Sequence, residues 1–218
     1  MIQTDVAAPE TVDRYVKVLL NAKAAKQSRY LLGLAGSPAS GKSTFSAQLV
    51  NRINFVLNKE VAVVVPMDGY HFSNQVLDEM GLKPLKGIPA TFDGQGFVDL
   101  IKRLKSETNE SVFAPLFDRS IEASIENGIE IAPRHEIIVS EGNYLLIDEK
   151  PWNELRNLFD EIWFIDSTME KLMPRLLERH KNCGRNNEET KAKIDSTDLP
   201  NAILIDGTKS RAHRVIDI

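Results

Sequence analysis

The stretch Gly36-Ser-Pro-Ala-Ser-Gly-Lys-Ser-Thr44 constrains this chain more than any other, because it follows the apolar run YLLGLA and leads directly into FSAQLVNRI. Gly36-x-x-x-x-Gly41-Lys42-Ser43 has the spacing of a phosphate-binding loop set between a strand and a helix. Its glycines let the backbone turn N–H groups inward, Lys42 brings a point charge to the β and γ phosphates, and the Ser43 hydroxyl can ligate Mg²⁺. The helix start adds partial positive charge. A turn that is merely rich in glycine has no need of a lysine and a hydroxyl side by side at that point. Gly36, Ser37, Pro38, Ala39, Ser40, Gly41, Lys42, Ser43 and Thr44 are therefore expected to bind a nucleoside triphosphate.

A loop of this kind requires a sheet to carry it. YLLGLA and VAVVVPM read as buried strands, and Phe45, Leu49 and Ile53 mark one face of the helix between them, which makes a βαβ unit. HEIIVSEG and EIWFID follow as further buried strands, and MEKLMPRLLERHKN as a strong helix. The expected fold is α/β, a parallel sheet flanked by helices. Before the first strand, Val12, Tyr15, Val16, Leu19 and Leu20 recur at helical spacing, and this helix is expected on the sheet's edge. Asn127-Gly128 sits between two runs of alternating character and predicts the tight turn of a β-hairpin. The charged stretch KNCGRNNEETKAKID resembles a lid more than a core element. AILID and HRVIDI are expected as the last strands. The chain of 218 residues is then one domain (1–218), with an N-terminal helix in 1–28, a hairpin flap in 113–133 and a lid region in 175–200.

A phosphate-binding loop alone does not decide between a kinase, a GTPase, a motor and a transport ATPase. The Asn-Lys-x-Asp guanine motif is missing, since NKEV ends in valine, and no SGGQ occurs. Glu141 ends the strand EIIVS, at the sheet edge where ligands bind in such folds. It is a candidate for the Mg²⁺ shell or for orienting a substrate, with a plain strand-end carboxylate as the alternative. Asp68, in VPMDGYHFSN, falls at the same edge. A carboxylate facing the γ-phosphate can orient an acceptor hydroxyl and take its proton, although Asp-Gly is also a common turn pair. His71 can touch substrate or be a structural histidine.

Charge and composition exclude other classes. A formal net charge of −4 without any basic block gives no general attraction to nucleic acid or anionic membrane. The expected partner is a small molecule. The one cysteine, Cys183, permits no intrachain disulfide, and MIQTDVAAPE lacks an export pattern, so a reduced, cytoplasmic setting is the expectation.

GSPASGKST, MDGYHFSNQVLDEMGL, KGIPATFD, FAPLFDRS, EGNYLLIDEKPW and TDLPNA together resemble the P-loop kinases grouped with uridine kinase, phosphoribulokinase and bacterial pantothenate kinase. Among these, the likeness is strongest to the fructose-transport-associated, nucleoside-kinase-like group, and it runs from about residue 29 to the C-terminus. The resemblance implies ATP- and Mg²⁺-dependent phosphorylation of a hydroxyl on a sugar, a nucleoside or a pantothenate-like acid. It makes Asp68 the catalytic aspartate and Lys42 and Ser43 the nucleotide and Mg²⁺ groups. The chain departs from the pantothenate pattern after PLFD, where Arg119 stands in place of a histidine.

Arg175 and Arg179 lie four apart, on one helix face. In the resembling kinases a lid brings arginines over the transferring phosphate; on a solvated helix they would pair with Glu178 or Glu189. In FAPLFDRS, Asp118 can bind acceptor hydroxyls and Arg119 an acceptor anion, unless Arg119 pairs with Asp118 or Glu122. The rival class is a regulatory or chaperone-type NTPase that hydrolyses nucleotide to control a protein partner.

Overall fold

The computed structural model describes residues 7–218; the first six residues of the segment read as an N-terminal helix lie outside the described residues. The chain runs through α1 (Pro9–Ala24), β1 (Tyr30–Ala35), α2 (Lys42–Leu57), β2 (Ala62–Pro66), α3 (Asn74–Glu79), α4 (Gly94–Ser106), β3 (Val112–Asp118), β4 (Ala123–Ile131), β5 (Ile137–Gly142), α5 (Leu155–Leu158), β6 (Glu161–Ile165), α6 (Met169–Asn182), α7 (Asn187–Lys193), α8 (Leu199–Asp206) and β7 (Arg214–Ile216). The main sheet has the order β2-β5-β1-β6-β7 with all strands parallel. This is the α/β arrangement expected from the alternation of buried runs and amphipathic segments.

Successive side chains of a strand point to opposite faces, and that splits the core into two layers. Leu31 and Ala35 of β1 pack with Phe97, Val98, Ile101 and Leu104 of α4 and with Tyr144 and Trp152. Leu32 and Leu34 pack with Val12, Tyr15, Val16 and Leu19 of α1 and with Phe45, Leu49 and Ile53 of α2. The first helix therefore lies on a face of the sheet beside α2, and not on the sheet's edge. Tyr15 explains why: its ring meets Phe45 edge-on at 5.8 Å and Trp163 of β6 at 5.5 Å, burial that an edge position would forgo.

The strand path reverses at β1, with β5 on one side and β6 on the other. Ligands bind at such a switch point, beyond the carboxyl ends of the strands. Parallel register sets what meets there. Glu141 of β5 stands level with Leu34, just before the phosphate loop, and with Pro66, two residues before Asp68.

β3 and β4 form a separate antiparallel pair. Its turn is at residues 119–122, so Asn127-Gly128 is not the hairpin turn. Those two residues lie inside β4, where pairing jumps from Leu116–Ile125 to Ala114–Ile129. Pro115 sits opposite the jump, has no N–H to give the ladder, and the partner strand bulges past it, with Asn127 at φ 54°. AILID is also not a strand; it is the body of α8. The helix runs on without a break from a π-helical turn at Ile194–Asp198, and Ala202 and Ile205, three apart, are buried while Ile203 and Leu204 are exposed. HRVIDI does contain a strand, β7.

Phe45→Ala removes the side chain on which α1, α2 and β6 converge, and should cost about 3–5 kcal/mol by the scale of large-to-small core substitutions. Urea denaturation measures it; a loss below about 1 kcal/mol would contradict this packing scheme.

Candidate active site

The loop after β1 is held in a conformation few sequences tolerate. Gly41, the N-cap of α2, has φ 92°, where a side chain would be strained. Ala39 carries a Cβ at φ 63°, the kind of strain that persists at ligand clamps. Its carbonyl accepts a hydrogen bond from Nη1 of Arg175 at 3.1 Å, which ties α6 to the loop. Lys42 is buried and donates through Nζ to the Ser37 carbonyl at 2.9 Å. The Ser40 hydroxyl is buried without a hydrogen-bond partner.

Ser43 donates to Oε1 of Glu141 at 2.8 Å. Burial, and secondarily the nearby Asp68 carboxylate, raises the Glu141 carboxyl above its usual range, against the pull of Lys42 and the Ser43 hydroxyl. Burial likewise pushes Lys42 down to about 8, although Glu141 and Asp68 favour its charged form. The described residues contain no cluster of three or more His, Cys, Asp or Glu that could cage a metal. A hydroxyl hydrogen-bonded to one buried carboxylate nevertheless fits Mg²⁺, which is held through one or two carboxylates together with the phosphates it accompanies.

One cavity of about 890 Å³ opens over the loop. Pro38, Ala39, Gly41, Lys42, Ser43 and Thr44 line it, whereas Gly36, Ser37 and Ser40 do not. Asp68, His71, Arg119, Glu141, Arg175 and Arg179 line it as well. Asp68 falls in a short 3-10 turn, Met67–Tyr70, and the hairpin packs hard against that turn: a Cβ on Gly69 would come within 2.1 Å of the Pro115 carbonyl. The contact delivers Arg119, whose Nη2 donates to Oδ2 of Asp68 at 3.0 Å. Arg119 is thus paired with neither Asp118 nor Glu122. His71 donates from Nδ1 to the Asp68 carbonyl at 2.9 Å, since a carbonyl can only accept. Its ring lies 3.9 Å from that of Phe92 and 5.0 Å from that of Phe117, and burial lowers its pKa and keeps it neutral.

Asp118 does not reach the cavity. Its Oδ1 accepts from the backbone and hydroxyl of Ser120 at 2.7 and 2.6 Å, so in this structure it shapes the hairpin turn and is turned to its own loop. Arg179 lies deep in the cleft yet open to the solvent filling it; burial first, and Arg119 second, lower its pKa, while Asp68 and Asp198 oppose.

The helical segment beyond α6 contributes residues that had no role by sequence pattern. A capping box of Asn186 and Glu189 starts α7. Arg185 donates to Nδ1 of His180 at 2.8 Å, and a guanidinium only donates, so the imidazole proton sits on Nε2 and meets Asp198 at 2.6 Å. Asn201 donates to the Gly87 carbonyl at 2.8 Å, which Tyr144 also engages. Asp198 and Asn201 lie in TDLPNA, and Lys86 and Gly87 in KGIPATFD. Those blocks stood out by resemblance, but nothing in their spacing pointed to the cavity.

No family model matches the chain. A protein of Schizosaccharomyces pombe provisionally named a uridine kinase is 33% identical over 186 residues, 83% of this chain and 79% of that protein. The chain belongs to the uridine kinase-like P-loop kinases. A solved structure from Silicibacter sp. TM1040, provisionally described as a fructose transport system kinase, is 35% identical with a TM-score of 0.86, covering 94% of this chain and 98% of that one. A pantothenate kinase of Enterococcus faecalis is 28% identical over 151 residues, 69% of this chain but 49% of that protein. Among the described residues no helix is long and apolar enough to cross a membrane.

Lys42 provides a test of the site's electrostatics. An unfolded lysine keeps its proton to about 10.5 and folded Lys42 only to about 8, so between those values the unfolded chain binds more protons and stability rises with pH. Chemical denaturation from pH 7.5 to 10.5 should show this rise in the wild type relative to Lys42→Met. A difference that stays constant across the window would contradict the burial of a charged lysine here.

Proposed function

We propose that this protein transfers the γ-phosphoryl group of ATP to a hydroxyl of a small metabolite. The observation that carries this reading is the Asp68 carboxylate, which shares one cavity with Lys42 and Ser43 and has one oxygen committed to Arg119. Its Oδ1 takes no hydrogen bond from the described residues and is available to an acceptor hydroxyl. As the acceptor oxygen bonds to the γ phosphorus, the bond from phosphorus to the β,γ-bridging oxygen breaks, ADP leaves, and the hydroxyl proton passes to Asp68. Arg119 orients the carboxylate for that transfer. Lys42 and the loop N–H groups hold the β and γ oxygens, and Arg179, with Arg175 bracing the loop from α6, offsets charge on the transferring group. Ser43 and Glu141 would hold Mg²⁺, which when bound would supply charge neutralisation for the transferring phosphate.

The size of the cavity supports an acceptor larger than water. Its lining continues past the loop to Lys86, Lys193 and Asn201, space that a nucleotide-hydrolysing switch has no use for. The hairpin 113–133 and the segment 175–200 cover this space, and we assign them as flap and lid. The relatives bear kinase names for different acceptors, so the names do not choose among sugar, nucleoside and acid.

An ADP-release screen over a metabolite panel tests the reading, with Asp68→Asn as its control. For the best acceptor the variant should lose about 10²–10⁴-fold in kcat, the usual contribution of a positioned proton acceptor, and keep its affinity for Mg-ATP. Normal transfer with weakened nucleotide binding would move Asp68 to the metal and refute its role as base.

A further inference from the structure

The cavity lining contains two lysines, Lys86 and Lys193, that make no hydrogen bond or ion pair to a carboxylate among the described residues. Lys86 donates through Nζ to Oδ1 of Asn74 at 2.8 Å and to the Glu122 carbonyl at 3.3 Å. Lys193 donates to the carbonyls of Pro84 at 3.0 Å and Lys86 at 2.8 Å. Both are half-buried, both line the cavity, and every partner is a neutral oxygen. Burial is the largest influence on each and lowers its pKa; Glu122 opposes this at Lys86 and Asp198 at Lys193, while Lys83 adds to it at Lys86 and Arg185 and Lys86 add to it at Lys193.

The nearby carboxylates make their hydrogen bonds elsewhere, and Glu122 and Asp198 act on Lys86 and Lys193 only through space. Asp198 accepts from His180 at 2.6 Å, Glu189 caps α7 through the Asn186 N–H at 2.9 Å, and Asp78 pairs with Lys83 at 2.6 Å. Glu122 lies on the exposed turn of the hairpin and offers Lys86 its carbonyl. Arg119, the anion-binding candidate from sequence, already has its charge paired with Asp68, to which it gives one N–H. Each ammonium has three donors and uses two. A half-buried ammonium whose bonded partners are all neutral gains from an anion that arrives from outside, and a charge-assisted bond to an oxyanion is the strong way to complete it. A run of rings leads from Asp68 to Lys86: His71, bonded to the Asp68 carbonyl, lies 3.9 Å from the ring of Phe92 and 5.0 Å from that of Phe117, whose centre is 5.2 Å from Lys86 Nζ.

We propose that the acceptor is itself an anion, a hydroxyl compound carrying a phosphate monoester or carboxylate that Lys86 and Lys193 hold while its hydroxyl faces Asp68. This rests on the kinase reading above and narrows its substrate class. Lys86 comes from the loop before α4 and Lys193 from the lid, so the acceptor's charge also joins the two walls of the cavity. Arg119 then orients the base and does not bind the anion.

The test is ADP release with matched acceptors that differ only in the charged group: ribose and ribose 5-phosphate, glycerol, glycerol 3-phosphate and glycerate, uridine and uridine 5′-monophosphate. The anionic member should be preferred at least ten-fold in kcat/KM within the productive set, and its identity separates phosphate from carboxylate. For that acceptor, Lys86→Met and Lys193→Met should each raise KM about ten-fold or more, the scale of a lost charged hydrogen bond, with Lys→Arg at either position recovering part of the loss. Lys193, at a half-exposed lid position, keeps the test open if Lys86→Met does not fold. Preference for the neutral member, an unchanged acceptor KM in both variants, or a rise in the KM for ATP in its place would overturn the proposal and leave the kinase reading intact. Release of ADP at the same rate with and without every acceptor would instead refute the kinase reading, and this inference with it.

Discussion

Lys42 and Glu141 are both buried at the carboxyl edge of the sheet, and for each of them burial is the largest influence, disfavouring the charged form. Lys42 spends its hydrogen bond on the Ser37 carbonyl and Glu141 accepts one from Ser43. The structure thus holds opposite charges near each other with their strongest bonds made to neutral partners, an arrangement that burial penalises until a ligand completes it. A triphosphate suits Lys42 and a hard cation suits Glu141. Much of the fold serves to bear this cost: the fully buried strands β1 and β5 fix the two residues in register, and helices cover both faces of the sheet.

The hairpin belongs to the site as much as the phosphate loop does. Its bulge opposite Pro115 and the close approach of Gly69 to the Pro115 carbonyl set the height at which Arg119 meets Asp68. On the other side, α6 reaches the loop through Arg175 and the lid through the Arg185–His180–Asp198 chain.

The sheet, the phosphate loop and α6 were legible because each rests on local pattern. β1 is an uninterrupted apolar run, the loop has fixed spacing, and the helix over Met169–Asn182 has a clear apolar stripe. What misled was local pattern overruled by partners distant in sequence. Asn127-Gly128 is a sound turn signal, but Pro115 opposite it turns the same conformational freedom into a bulge. AILID is too short for its period to separate strand from helix, and it continues the helical run that precedes it. Asp118 and Arg119 are adjacent and looked alike in role, yet one is spent on its own turn and the other on Asp68. Lys86 and Lys193 carry no motif chemistry of their own; only the packing of the lid on residues 84–86 brings them together.

The central claim is that the γ phosphorus leaves ATP for an alcohol and not for water. Phosphorus NMR of the complete reaction, with Mg-ATP and a pool of small hydroxyl metabolites, follows that atom directly. The expected result is a new phosphate monoester resonance that grows in step with ADP. ADP accompanied only by inorganic phosphate, at a rate the metabolites do not change, would contradict it.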